Sequence, residues 1–185
     1  KRMDELQAMK NTNQYTILNF DRTARTMQID LYDYATLKKA TSLIDTKDFT
    51  ALKDGIDSYT FSADEKQLLI ANNTNQIFRR SFTADYYLYT IATKELTKIL
   101  DQVQEPTFSP DSKKVAYVKD NNIFVKNLET SSVTQITSDG LKNSIINGIC
   151  DWVYEEEFAF VRAFEWSGDS KNIAFLRFDE SEVPT

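Results

Sequence analysis

The sequence predicts an all-β protein built as β-propeller blades, each of four antiparallel strands. Runs of mixed apolar and polar residues such as Met27–Leu31 and Ile123–Leu128 are typical of strands and too short for ordinary helices. No segment shows the apolar spacing of a three-turn helix, and Asp4–Met9 is compatible with a turn or two. Glycine is rare, at 4 of 185 residues, so asparagine and aspartate are expected to form the turns. With a repeated hairpin motif, these features predict many short strands.

The hairpin motif occurs three times and reads aromatic, serine, any residue, aspartate, any residue, lysine. Each copy is followed by an aliphatic run, which predicts a strand, a tight turn and a partner strand. We expect the aspartate to close an Asx turn, while the aromatic residue and the aliphatic run bury the inner face of the hairpin. The copies are Phe61–Lys66, Phe108–Lys113 and Trp166–Lys171.

A second hairpin pattern lies between these copies. It pairs Tyr87–Ile91 with Leu96–Ile99, and 37 residues later it pairs Phe124–Leu128 with Val133–Ile136. Two hairpins per repeat give four strands in roughly 40 to 50 residues, which is typical of a propeller blade. A β-sandwich is the alternative, but a sandwich does not require one hairpin to recur three times.

The repeats predict about three and a half blades, whereas closed propellers have roughly four to eight. The chain begins with Lys1 rather than methionine and stops directly after a strand pattern, so we expect it to be a piece of a longer protein. An open part of a larger ring is therefore favoured over a closed ring. The predicted blades are residues 1–48, 49–105, 106–150 and 151–185.

The composition excludes several functions. The chain has no histidine, so it cannot form a Ser-His-Asp or Cys-His catalytic set or a histidine-ligated zinc site. With 22 Lys+Arg against 28 Asp+Glu the net charge is −6, which argues against binding to nucleic acid. Its one cysteine, Cys150, permits no intrachain disulfide, and no apolar run is long enough to span a membrane. We expect no metal and no cofactor.

The segment Asp151–Phe158 breaks the blade pattern, because three glutamates follow three large apolar residues. A solvated acidic face is the ordinary interpretation of such a run. Here Trp152, Tyr154 and Phe158 are expected to fix the segment against the protein, which would give the carboxylates a defined direction.

Asp151 is a good N-cap and predicts a helical turn for this segment. On such a turn Glu156 and Glu157 can converge on one group, which adjacent residues of a strand cannot do. Two neighbouring carboxylates favour a cation. An ammonium group suits them better than a hard metal ion, which would need more oxygen ligands.

The string Asp151–Phe158 resembles the N-terminal propeller of dipeptidyl peptidase IV, as do Asn147–Ile149, Trp166-Ser167 and Phe178–Pro184. The bacterial branch is favoured because the cysteines of the animal enzymes are missing. The resemblance implies an eight-bladed propeller over an α/β-hydrolase domain that carries a Ser-Asp-His triad. That domain and all catalytic residues are then outside this chain.

The resemblance also implies site residues. Glu156 and Glu157 would bind the free α-ammonium group of the substrate, and Glu155 would be a structural or auxiliary charge. An arginine that contacts the substrate carbonyl in many members is expected within Lys98–Val103, where this sequence has none. Cys150, in place of a common threonine, is interpreted as a small buried residue.

For the full-length protein, the resemblance implies a serine exopeptidase that releases Xaa-Pro or Xaa-Ala dipeptides from peptides with a free N-terminus. It further implies a homodimer in the periplasm or secreted from a bacterial cell. Two alternatives stay open. One is a non-catalytic propeller that binds a protein partner, and the other is a related prolyl tripeptidyl peptidase.

Overall fold

The computed structural model describes residues 4–183 and confirms the all-β prediction. Within these residues the chain forms fifteen strands, two short 3₁₀ turns (Thr46–Asp48 and Thr50–Leu52) and one α-helix, α1 (Trp152–Phe158). The strands are β1 (Asp4–Ala8), β2 (Gln14–Asp21), β3 (Thr26–Asp33), β4 (Lys39–Asp45), β5 (Ser58–Phe61), β6 (Gln67–Gln76), β7 (Phe82–Thr90), β8 (Glu95–Phe108), β9 (Lys114–Lys119), β10 (Asn122–Asn127), β11 (Val133–Gln135), β12 (Ile145–Asn147), β13 (Phe164–Trp166), β14 (Ile173–Phe175) and β15 (Arg177–Asp179).

The chain divides into two compact units. The first contains the residues up to Asn73 together with Asp85–Leu100, and the second contains Thr74–Ala84 and the residues from Asp101 onwards. One four-stranded sheet has the order β1-β2-β3-β4, and a seven-stranded sheet has the order β11-β10-β9-β8-β7-β6-β5. Strand order follows chain order in both sheets, as expected for successive hairpins. β8 includes residues 105 and 106, where one blade boundary is predicted, and its pairing with β9 shifts register between Gln104 and Thr107.

The first unit has its own hydrophobic core. Apolar side chains of β3, β6 and the second 3₁₀ turn meet there, and Ile29, Leu52 and Leu68 are completely buried. The segment Asp4–Met9 does not form the helical turn considered from its sequence. It pairs with β2 as strand β1, with Gln7 opposite Thr16, because pairing with a neighbouring strand overrides a weak local preference for helix.

The three repeated motifs form one and the same turn. In each, the serine hydroxyl lies 2.5–2.7 Å from the aspartate Oδ1, and the lysine backbone N–H donates to that Oδ1 at 3.1–3.2 Å. The predicted Asx turns are therefore confirmed. The left-handed backbone position in each turn, with φ of 57° to 62°, is occupied by Glu65, Ser112 or Ser170 rather than by the aspartate. Aspartate thus contributes the hydrogen bond and not the unusual backbone conformation.

The aliphatic runs that follow these turns differ in burial. Leu68–Ala71 and Val115–Val118 are buried as predicted, whereas Phe175 and Leu176 after the third turn are exposed. In the described residues β14 is hydrogen-bonded to β13 alone, so its side chains have fewer neighbours. Trp166 and Ile173 of the third hairpin still pack against a buried core, so the predicted burial holds for these two residues and fails for Phe175 and Leu176.

The second unit has its own core, which fixes the base of α1. Ala116, Val118 and Ile123 of β9 and β10 pack against Ile149 and Phe164, the residues before and after the helical segment. β12 pairs with β15, and β13 pairs with β14. This core holds both ends of the segment that carries the three glutamates.

Candidate functional site

Helix α1 is an insertion between two hydrogen-bonded positions of the second unit. The Cys150 N–H donates to the Val161 carbonyl oxygen at 2.9 Å, and Ile149 forms an isolated bridge with Arg162. The chain therefore leaves and re-enters at adjacent points. Because backbone hydrogen bonds join the two ends of the insertion, we expect little change in the orientation of α1 relative to these strands.

The ends of α1 are capped as the sequence predicts. Asp151 is the N-cap, and its Oδ1 accepts a hydrogen bond from the Tyr154 N–H at 2.8 Å. The helix ends at Phe158, and its C-cap is Ala159, which has a left-handed φ of 59° and whose N–H donates to the Glu155 carbonyl oxygen. The predicted helical turn and its cap are confirmed, so the three glutamates are arranged at helical spacing.

Tyr154 is the aromatic anchor of the segment. Its ring centroid lies 5.0 Å from that of Phe178, 6.0 Å from that of Phe160 and 5.2 Å from that of Phe158. Trp152 is 56% exposed and Phe158 is 65% exposed. The prediction that Trp152 fixes the segment is therefore wrong, and Phe158 contributes mainly through Tyr154. The physical reason is that the buried side of the helix is occupied by Glu155.

The carboxylate of Glu155 is buried, with the residue only 2% exposed. Its Oε1 accepts hydrogen bonds from the backbone N–H of Arg80 at 2.5 Å and of Ser81 at 2.9 Å. Burial by itself would raise the pKa of Glu155, but the hydrogen bonds from Ser81 and Arg80 and the Arg80 charge outweigh it, so the pKa lies below its ordinary value. Glu155 is thus an ionised carboxylate that is satisfied by protein donors.

Glu156 forms an ion pair with an arginine from a distant part of the sequence. The Nε of Arg79 lies 3.2 Å from Oε2 of Glu156, whose side chain is 22% exposed. Arg79 lies between β6 and β7, in a hairpin tip formed by residues 77–81. The tip is closed by hydrogen bonds from the N–H groups of Ile77 and Phe78 to the Ser81 carbonyl oxygen.

Glu157, the second glutamate predicted to bind an ammonium group, is exposed. It follows Glu156 on the helix and therefore points about 100° away from it around the helix axis. The structure thus brings Glu156 into contact with Arg79 and leaves Glu157 directed to solvent. Glu156 and Glu157 lie on one side of the helix, and Glu155 lies on the other side, where it accepts hydrogen bonds from the backbone of Arg80 and Ser81.

Sequence reasoning missed Arg79. The stretch Lys98–Val103, where the resemblance implies an arginine in many members and this sequence has none, belongs to β8, and its Gln102 accepts hydrogen bonds from the side chains of Asn75 and Thr83. Arg79 and Arg80 are the only adjacent arginine pair in the sequence. Two adjacent arginines between two strand patterns could have indicated a charged turn at this position.

Two further ionisable groups lie close to the helix. Burial raises the pKa of the Glu105 carboxyl; the charge of Arg162 opposes this effect and the charge of Glu155 adds to it. Burial also raises the pKa of the Cys150 thiol to about 11, and the Glu155 charge contributes. The Cys150 Sγ donates to the Phe160 carbonyl oxygen at 2.9 Å. The interpretation of Cys150 as a small buried residue is confirmed.

Among residues 4–183, no group of three His, Cys, Asp or Glu side chains is arranged to hold a metal ion. None of the helices in this part of the chain has the length and apolar character needed to cross a membrane. A cavity of about 410 Å³ lies at the β10–β11 and β13–β14 strands, where Lys114, Trp166 and Lys171 line it rather than the glutamates of α1.

The fold and the acidic helix define the N-terminal propeller region of a peptidase family. The sequence model described as the dipeptidyl peptidase IV (DPP IV) N-terminal region matches residues 62–185. This chain belongs to that family. The resemblance stated from the sequence is confirmed, and the antiparallel sheets are part of a β-propeller.

Individual relatives agree with this assignment. The chain is 37% identical over 145 residues to "Dipeptidyl peptidase 4" of Bos taurus, covering 76% of this chain and 19% of the relative. It is 36% identical over 130 residues to "Prolyl endopeptidase FAP" of Mus musculus, covering 68% and 17%. The crystal structure of Porphyromonas gingivalis dipeptidyl peptidase 4 matches with a TM-score of 0.88 and 35% identity, over 99% of this chain and 26% of that one. The chain thus spans less than a fifth of the two curated relatives.

Proposed function

We propose that this chain is the substrate-docking part of the propeller of a serine dipeptidyl peptidase, in which Glu156 and Glu157 bind the α-ammonium group of a peptide. The observation that supports this most is the Glu156 carboxylate, held by Arg79 on a capped helix beside the exposed Glu157. An ammonium group has three N–H donors and no acceptor, which suits a pair of carboxylates.

The charges balance when the peptide binds. Arg79 compensates one of the two carboxylates, and the other retains a negative charge for the incoming ammonium group. The guanidinium has five N–H donors, and the contact with Glu156 through Nε leaves others for a substrate oxygen. We assign to Arg79 the contact with the substrate carbonyl that the family resemblance implies.

Binding the amino end of the peptide determines which bond is cleaved. A peptide held by its ammonium group presents a bond at a fixed distance from that group to the catalytic residues. This chain has no histidine, so a Ser-Asp-His triad has to come from another part of the protein. Membership of the dipeptidyl peptidase IV family supports cleavage after the second residue, with proline or alanine at that position.

An endopeptidase is the second candidate, because the mouse relative is named a prolyl endopeptidase. Such an enzyme does not need to bind a free amino terminus. The tripeptidyl peptidase and the protein-binding propeller are further alternatives, and each predicts a different pattern of substrates.

The test is an assay of the full-length protein with three chromogenic substrates: an Xaa-Pro dipeptide, its N-acetylated twin and an Xaa-Xaa-Pro tripeptide. We expect rapid release from the free dipeptide alone, since acetylation removes the cation and leaves two carboxylates facing a neutral amide. Equal turnover of the acetylated twin would indicate an endopeptidase, and preference for the tripeptide a tripeptidyl peptidase. No turnover of any of them would favour the protein-binding propeller.

A further inference from the structure

We propose that Glu155 is a positioning residue whose buried carboxylate holds the hairpin tip, residues 77–81, against α1 and so places Arg79 beside Glu156. The effect on catalysis rests on the function proposed above. The tether itself is a property of the fold and can be tested without any substrate.

The contacts of Glu155 are those of a tether between distant segments. Its Oε1 accepts from Arg80 N–H at 2.5 Å and from Ser81 N–H at 2.9 Å, across 75 and 74 residues of chain. Ser81 is 4% exposed and Glu155 is 2% exposed, so water cannot easily replace either partner. A buried charge of this kind is tolerated only when donors satisfy it.

The position of Arg79 depends more on the hydrogen bonds from Arg80 and Ser81 to Glu155 than on the ion pair between Arg79 and Glu156. The Arg79 side chain is 70% exposed, and exposed ion pairs such as the one with Glu156 contribute little to holding two segments together. Buried hydrogen bonds to a carboxylate are considerably stronger. Because the tethered N–H of Arg80 follows Arg79 directly in the chain, fixing Arg80 also fixes the backbone from which the guanidinium extends.

A glutamine at position 155 is the sharpest substitution. It has nearly the shape of glutamate, but its amide oxygen is a neutral and weaker acceptor for the two backbone N–H groups that donate to Oε1 of Glu155. The matched control is Glu129→Gln, which makes the same chemical change on a side chain that is 68% exposed.

Hydrogen exchange tests the tether directly in the full-length protein. In the wild type we expect the amide of Arg80 to exchange slowly although its side chain is exposed, and this measurement needs no variant. In Glu155→Gln we expect exchange in residues 77–81 to accelerate about tenfold or more, which corresponds to the loss of one hydrogen bond to a charged acceptor. Glu129→Gln should leave this segment unchanged.

Kinetics test whether the tether acts through Arg79. We expect Glu155→Gln to lower kcat/KM for a free Xaa-Pro dipeptide about tenfold in the wild-type background. In the background of Arg79→Met, the same substitution should lower kcat/KM less than twofold, because the guanidinium that it positions is already absent. A role of Glu155 in general stability would give the same factor in both backgrounds.

Fast exchange at Arg80 in the wild type would overturn the tether. An unchanged exchange rate in Glu155→Gln would also overturn it, as would an equal kinetic loss with and without Arg79. If the wild-type protein cleaves no free dipeptide, the proposed function fails, whereas the exchange experiment still decides whether Glu155 holds the hairpin tip.

Discussion

The guanidinium Nε of Arg79 lies 3.2 Å from the carboxylate Oε2 of Glu156, although one residue belongs to a hairpin tip and the other to a helix far along the chain. Both segments belong to the second unit. Arg79 therefore partly neutralises the charge of Glu156 and Glu157, the two glutamates that we propose to bind an ammonium group.

The first prediction concerns the two glutamates that we assign to ammonium binding. In the full-length enzyme, Glu156→Gln and Glu157→Gln should each lower kcat/KM for a free Xaa-Pro dipeptide by about 10- to 150-fold, because each removes a charge-assisted contact worth about 1.5 to 3 kcal/mol. Thermal unfolding should change little, since neither side chain is fully buried. Unchanged kinetics in both variants would contradict the assignment, and Glu129→Gln serves as the surface control.

The second prediction separates Arg79 from its neighbour. Arg79→Met should lower kcat/KM by about tenfold or more, because the guanidinium contacts Glu156 and is assigned to the substrate carbonyl. Arg80→Met is the comparison variant, since the backbone N–H that Arg80 donates to Glu155 remains and only the Arg80 charge is lost, which affects the pKa of Glu155 less than the hydrogen bonds do. Steady-state assays of both variants check this. Similar losses in the two variants would indicate that the positive charge of the hairpin tip matters and not the position of Arg79.

The parts of this structure that the sequence predicts well are local. The Asx turns of Asp64, Asp111 and Asp169 and the N-cap of Asp151 each depend on residues only a few positions apart, so their hydrogen bonds can be inferred from the order of residues. The start of α1 at Trp152 follows from its cap in the same way.

The parts that the sequence does not predict depend on contacts between distant segments. Nothing near Glu155 in the sequence indicates that its partners are the backbone amides of Arg80 and Ser81, or that Arg79 meets Glu156. The exposure of Trp152 has the same cause. A large apolar residue is ordinarily expected to be buried, and only the three-dimensional packing shows that another aromatic residue holds the helix in place. Here Tyr154 has that role through its contacts with Phe160 and Phe178.

The third prediction concerns Gly148, which lies just before the helical segment. Its φ of +77° is in the region that favours glycine, and a Cβ there would lie 2.7 Å from Cγ1 of Ile123 and 3.2 Å from Cγ2 of Val118. Gly148→Ala should therefore lower the free energy of unfolding by at least about 2 kcal/mol. Gly168→Ala is the matched control, because a Cβ at Gly168 meets nothing within 4 Å. Chemical denaturation of both variants measures the difference, and equal stability would refute the close packing at Gly148.

The fourth prediction concerns the pH dependence of stability at Glu105. Burial raises its pKa above the ordinary value of 4.5, although the charge of Arg162 opposes this effect. Between 4.5 and the raised value the folded protein binds more protons than the unfolded chain, so the free energy of unfolding falls as the pH rises through this window. Glu105→Gln cannot lose a proton, so it should be more stable than the wild type at neutral pH and lose this advantage below pH 4.5. Thermal unfolding of the wild type and of Glu105→Gln at neutral pH and below pH 4.5 tests this, and Glu129→Gln makes the same chemical change on an exposed side chain as a control. A variant that is less stable than the wild type at neutral pH would show that attraction to Arg162 outweighs burial.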